Sequence, residues 1–347
     1  MNKIILLPFL ALTSLAPLAA QDTEHDLRLV AKPGTSVWID QLTTQTQEID
    51  LGGQTMESGN KMHLIVSFTV KEVTDSGSTV VEAKFERVSG AITIPMMGDQ
   101  EFDSADLDGE EVEDAPVDIG GAFGGGMPDI EAVGRAAASM AGMSVIARLG
   151  AHGSIESMDA SAIEAKLEKK AGEMGSQMLK PYFSEDGIKG LFEATLGARP
   201  KKPMAVGGTW TPEENEARRG GPKTVLQMTL TAVGDKTFEV SGSGTIEKGE
   251  AKTPAEDESE EEKMMREMQA KAKIKNGKIK GHSIVSREDG FVTESKNEMS
   301  FDMSTDSPFG GEMTVTQKSV VVLKRTTRER AMPAAKKESE EKKDGDR

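Results

Sequence analysis

The sequence predicts an α+β fold built on one large curved antiparallel sheet, with two helices packed on its inner face. Two observations carry that expectation. Most of the chain between Leu27 and Leu323 alternates apolar and polar residues with the period of two that a half-buried strand requires, and turn signals separate the runs. Only Ser161 to Leu196 shows the three- and four-residue apolar spacing of helices.

In chain order, residues 1–20 come first. Lys3, the apolar run Ile4–Leu12 and the small residues ending at Ala19-Ala20 have the order of a secretory signal peptide, with cleavage expected after Ala20. The apolar run is shorter than the roughly 20 residues of a bilayer span, and no later stretch is long enough. The expectation is an exported protein, periplasmic or extracellular, with no stable membrane insertion after cleavage. The sequence has no cysteine, so it forms no disulfides and offers no thiol for acylation. With 58 acidic against 42 basic residues its net charge is −16, which makes nucleic acid a poor partner.

The β-rich domain is expected over 21–325, with a first half at 27–158, helices at 161–197 and a second half at 203–325. Thr35–Leu51 is a long run rich in Val, Ile, Thr and Gln, polar on both faces for much of its length. Gly52-Gly53 turns the chain. Met62, Leu64, Val66, Phe68 and Val70 then alternate with polar residues, interrupted only by Ile65, and Asp75-Ser76-Gly77 turns the strand into Val81, Ala83 and Phe85. A short strand follows at 92–94.

The stretch 103–128 is acidic and then glycine-rich, too poor in apolar residues to offset its ordering entropy, and is expected as a disordered insertion. Its start, Asp103 to Glu111, superficially resembles a calcium loop. Aligning Gly109 with the sixth loop position leaves Ser104 at the first and Ala115 at the twelfth, where a bidentate Glu is required. A helix is expected at 130–140 and a hairpin over Ser144–Leu149 and Ser154–Met158.

Ser161 and Glu164 have the spacing of a capping box. From there Ile163, Leu167, Ala171, Met174 and Met178 form one apolar stripe, which Pro181 should end. Ser184 then caps a second helix carrying Ile188, Leu191, Phe192 and Leu196, closed by Gly197. The Pro-rich run after it ends in Val206-Gly207-Gly208-Thr209-Trp210, and Trp210 is expected as a structural anchor that buries its ring.

Leu226, Met228 and Leu230 begin the second set of strands, with a turn at Gly234-Asp235 and a return over Phe238–Ile246. This strand, turn and strand echo Lys61–Val88, which leaves open whether the sheet consists of two repeated halves. An acidic insertion is expected at 248–271, strands over Lys278–Ser286, Phe291–Met303 and Met313–Leu323, and a charged, disordered tail at 326–347.

No residue pattern here carries catalysis. There is no Gly-x-Ser-x-Gly and no cysteine nucleophile, and His25, His63, His152 and His282 lack ligand-like spacing, so neither catalytic residue nor metal nor cofactor is expected. Paired carboxylates are plentiful, but no spacing selects two of them, which leaves a hydrolase as the last of three readings. The first is a non-enzymatic envelope protein that binds a small apolar ligand or an envelope protein where helix meets sheet. The second is a periplasmic carrier of lipid or lipoprotein. The candidate apolar ligand face is Leu64, Val66, Phe68, Met228, Met299, Phe301 and Met303; methionine, with 20 copies here, adapts to irregular ligands.

The order of signal peptide, long strands, helix, Pro-rich link into Val206-Gly207-Gly208-Thr209-Trp210 and further strands resembles a family of uncharacterised exported bacterial proteins. The resemblance covers residues 27 to 325, and its distinctive motif is Pro203–Trp210. It implies a β-rich domain and carries over no catalytic residue. The acidic insertions depart from its compact pattern.

Overall fold

A computed structural model describes residues 23–94, 98–107, 130–197, 199–212, 223–249, 271–306 and 312–331. The chain is mostly β, so the α+β expectation is met only loosely. Twelve strands form one antiparallel sheet in the order β6-β5-β3-β2-β1-β12-β11-β10-β9-β8-β7, with β4 also paired to β3. In sequence they are β1 Ser36–Leu51, β2 Gln54–Val73, β3 Thr79–Ile94, β4 Gly98–Asp103, β5 Ser144–Leu149, β6 Ile155–Met158, β7 Thr209–Trp210, β8 Lys223–Val233, β9 Thr237–Glu247, β10 Lys273–Ser286, β11 Val292–Asp306 and β12 Glu312–Thr326. Among the described residues β6 and β7 end the path without pairing to each other, so the sheet is open.

Most neighbours are sequential hairpin partners. The long-range closure is β1 with β12, which places Trp38 opposite Thr326 and Leu51 opposite Met313. Register then defines an inner face that runs from Leu64 through Gln41 and Leu323 to Ser295. The break at Ile65 is a bulge: Ile65 pairs with Arg87 and Val66 with Phe85, leaving Glu86 unpaired, and its carboxylate accepts the Ser67 hydroxyl at 2.7 Å.

Three helices, not two, lie on the inner face: α1 Ile130–Ala138, α2 Ser161–Phe183 and α3 Glu185–Leu196. Their apolar sides meet β1, β2, β3 and β5 in a core where Phe68 packs edge-on against Phe192 (5.3 Å) and Phe85 against Phe183 (5.4 Å). A smaller core gathers Leu27, Met228, Leu230, Phe238, Val240, Val285 and Val292, with Trp210 at its margin.

Arg199 links the two. Its guanidinium is buried and donates to the carbonyls of Leu27 (2.8 Å), Arg28 (3.0 Å), Leu196 (3.1 Å) and Gly290, and it lies over the Phe238 ring. Burial pushes its pKa down to about 10, opposed by the nearby Asp289 carboxylate, so it remains a cation at neutral pH.

Several expectations need correction. The Ser161 capping box does not form: Ala160 is the N-cap residue and makes no side-chain cap, while the Asp159 carboxylate accepts the Ser161 N–H at 3.0 Å. Glu164 instead accepts the Glu185 N–H at 2.7 Å, tying the start of α2 to the start of α3. Pro181 does not end α2, which runs on to Phe183 because that ring is fully buried against Phe85. Residues 103–106, expected as the start of an insertion, are ordered on the sheet. Gly98–Asp103 is β4, Ser104–Asp106 is a 3-10 turn capped by Asp103, and Arg87 pairs with Asp103 to hold both on β3. Burial raises the Asp103 pKa, but the Arg87 hydrogen bond and the Ala105 N–H outweigh it and hold the carboxyl below its usual range. At the other end Arg328–Ala331 forms a short helix, α4, with Ala331 buried, so the expected tail does not start at 326. Residues 1–20, 108–129, 250–270 and 332–347, and the side chain of Met174, lie outside the described residues.

Candidate functional site

The inner face is longer than the helices that cover it. β2 spans 20 residues, yet only its stretch from Met62 to Val70 is closed over; residues 54–61 are exposed or half-buried. Where α2 ends above this overhang there is a cleft of about 420 Å³. Its floor comes from Gln45 and Gln47 of β1, Ser58, Asn60 and Met62 of β2, and Ile92 of β3; Met178, Leu179, Pro181 and Tyr182 of α2 form the wall, and Phe102 and Ile130 the end.

Local sequence explains each part. Phe102 lies flat over β3 because Gly90 sits opposite it: a Cβ there would fall 2.8 Å from the Phe102 ring. Pro181 brings no N–H for the Gln177 carbonyl one turn earlier. The Tyr182 hydroxyl donates to Asn60 Oδ1 at 2.7 Å, which fixes the Asn60 side chain across the cleft. Burial raises the Tyr182 pKa to about 12, so the hydroxyl keeps its proton at ordinary pH. Gln47 donates a long 3.4 Å bond to Gln317, and among the described residues the Gln45 and Gln177 side-chain amides have no hydrogen-bond partner.

From the cleft the inner face continues across the sheet. Gln45 pairs with Ser319 and Ser319 with Met299; Gln47 pairs with Gln317 and Gln317 with Phe301. The face that floors the cleft therefore continues onto Met299, Phe301 and Met303, of which Phe301 is buried and the two methionines half-buried.

The outer face has another character. A cleft of about 620 Å³ there is lined by Asp40, Lys61, His63, Glu101, Asp103 and Asp106, with His63 Nε2 2.8 Å from Asp40. Elsewhere on that face Lys71 pairs with Glu82 at 2.6 Å, and Lys280 and Lys296 both pair with Glu298, whose pKa these two hydrogen bonds lower to about 2. Among the described residues no helix is long and apolar enough to cross a membrane, and no cluster of His, Asp and Glu has metal-ligand geometry.

The structure distributes the residues expected on an apolar ligand face. Leu64, Val66 and Phe68 are at most 2 % exposed and lie beneath the helices, Met228 is in the smaller core, and Met299, Phe301 and Met303 are on the continuation of the cleft. Trp210 is half-buried in a two-residue strand opposite Met228, with its indole N–H unpaired among the described residues. The sequence reading missed Gln45, Gln47, Asn60, Met178 and Tyr182. Their signal was present: polar residues continue the inner-face register of Val37 and Ile39, and Tyr182 is the only tyrosine.

No functionally curated protein matches the chain. Among solved structures it is similar to the chain titled "Lipid-protein interactions in lipovitellin" at 10% identity and a TM-score of 0.40, covering 84% of this chain and 25% of that one. It is also similar to the outer membrane protein OprG from Pseudomonas aeruginosa (8% identity, 85% and 97% coverage, TM-score 0.22) and a DUF1329 family protein from Desulfovibrio piger (8%, 83% and 84%, 0.13). The chain thus spans a quarter of the length of the lipovitellin chain. Residues 132–292, from α1 to the start of β11, match the model of a family of unknown function, DUF6263, so the resemblance to an uncharacterised family holds for the helices and the strands that follow them.

Proposed function

We propose that the protein is a non-enzymatic binding protein of the cell envelope, which holds a small ligand with an apolar body in the cleft between α2 and the inner face. The cleft itself supports this reading. At about 420 Å³ it is within the roughly 300–1,000 Å³ typical of small-molecule sites, and it joins polar floor groups (Gln45, Gln47, Ser58 and Asn60) to apolar surface from Met62, Ile92, Met178 and Leu179. Envelope localisation rests on the signal-peptide pattern of residues 1–20. A second reading, a lipid carrier, is favoured by one observation: the floor continues onto Met299, Phe301 and Met303, which offers room for a longer chain.

The test is titration of the purified protein with a fluorescent fatty acid. The wild type should take it up with saturation, and Gln45→Trp, at a half-exposed floor position, should weaken uptake at least tenfold with an unchanged melting temperature. No saturable uptake by the wild type, or equal uptake by the variant, would overturn the assignment. Lipid that co-purifies without detergent, seen by native mass spectrometry, would favour the carrier over the simple binding protein.

A further inference from the structure

We infer that the cleft selects an uncharged amphiphile, one whose head carries hydroxyl or amide groups, over a carboxylate or a quaternary amine. The inference rests on the binding reading above and specifies its ligand. Placing an ionic head in a partly dehydrated cleft needs an opposite charge beside it, since an unpaired buried charge is far costlier than an unpaired dipole. Among the described residues the lining contains no carboxylate and one ammonium, that of Lys61. Lys61 lies between Asn60 and Met62, so strand alternation assigns it to the opposite face, where it also lines the outer cleft with Glu101 and Asp103.

What the cleft does offer is neutral and two-sided. The amides of Gln45 and Gln177, unpaired among the described residues, each present donors and an acceptor. Asn60 uses its Oδ1 to accept from Tyr182, which leaves its Nδ2 as a donor. Hydroxyl groups, which donate and accept at once, match such a set. A carboxylate only accepts, so it leaves the acceptors of the set unmet, and a quaternary amine neither donates nor accepts, so it leaves the whole set unmet. Met62, Ile92, Met178 and Leu179 supply the surface for the apolar tail.

Three ligands with one tail and different heads separate the options: octyl glucoside, octanoate and octyltrimethylammonium, each titrated calorimetrically below its micelle concentration. Octyl glucoside should bind at least tenfold more tightly than the other two. Gln45→Leu and Gln177→Leu, which keep side-chain bulk, should each erase most of that preference. Preferential binding of octanoate that is lost in Lys61→Met would overturn the inference, as would equal binding of all three, and both would leave the cleft standing as a binding site. Failure of all three ligands together with failure of the fluorescent fatty acid would remove the binding reading itself.

Discussion

Arg199 shows how much one side chain can carry. It sits in a Pro-rich run that reads as a linker, yet its guanidinium satisfies carbonyls from the N-terminal segment, the end of α3 and the β10–β11 turn. Arg199→Met should destabilise the protein by about 3–5 kcal/mol in chemical denaturation, because it strands several buried carbonyl acceptors at once. Arg199→Lys should restore little of the loss, since an ammonium cannot reproduce the planar fork. Tyr182 gives a cleaner reading in pH. Its folded pKa of about 12 lies above the ordinary value of 10, so its contribution to stability is complete below pH 10 and is lost as pH rises towards 12. Tyr182→Phe should therefore flatten stability in that window, and ultraviolet titration of the sole tyrosine should show the raised midpoint directly.

At the scale of elements, the strands were legible wherever one face is buried. Met62 to Val70 alternates because helices cover one side of it, and its one irregularity, Ile65, marked the bulge. Elements held by single contacts were not legible. Gly98–Phe102 carries no strand signal and Asp103 looked like the start of an acidic insertion, because the attachment of β4 depends on the Arg87–Asp103 pair and on Phe102 resting over Gly90, neither of which leaves a periodic trace. α2 likewise carries a kink at Gly172, where φ is +64° and ψ −178°, within a run that looked like continuous helix. That backbone region is almost exclusive to glycine, so Gly172→Ala should cost roughly 1–3 kcal/mol by thermal or urea unfolding, far more than the slight gain expected in a straight helix. The cleft stayed hidden for a related reason: Met178 and Tyr182 face Asn60 and Ile92 only because α2 crosses the sheet there, an arrangement no local pattern encodes.

For the whole molecule, the pairing of β1 with β12 decides whether there is one sheet or two. Removing Glu312 to the end of the chain would leave β6–β5–β3–β2–β1 and β11–β10–β9–β8–β7 joined by no backbone ladder, only by contacts such as those of Arg199 and of Phe68 with Phe291. The truncated protein should lose its single cooperative transition and show two weaker ones, or none, by calorimetry. The sequence indicated the amount of sheet, but not which strands would lie side by side, because β1 and β12 share an alternation that many other pairs would satisfy.

The same pairing has a consequence in time. Every other strand is made between β1 and β12, so the middle of the sheet has a very high contact order and cannot close until β12 has been synthesised. Until then β1 offers an open edge of mostly polar side chains, Thr43 to Glu48, a composition that disfavours pairing with a neighbouring chain. Nascent chains stalled before Glu312 should remain protease-sensitive throughout the β1–β3 region, and protection should appear only once Thr326 has cleared the ribosome.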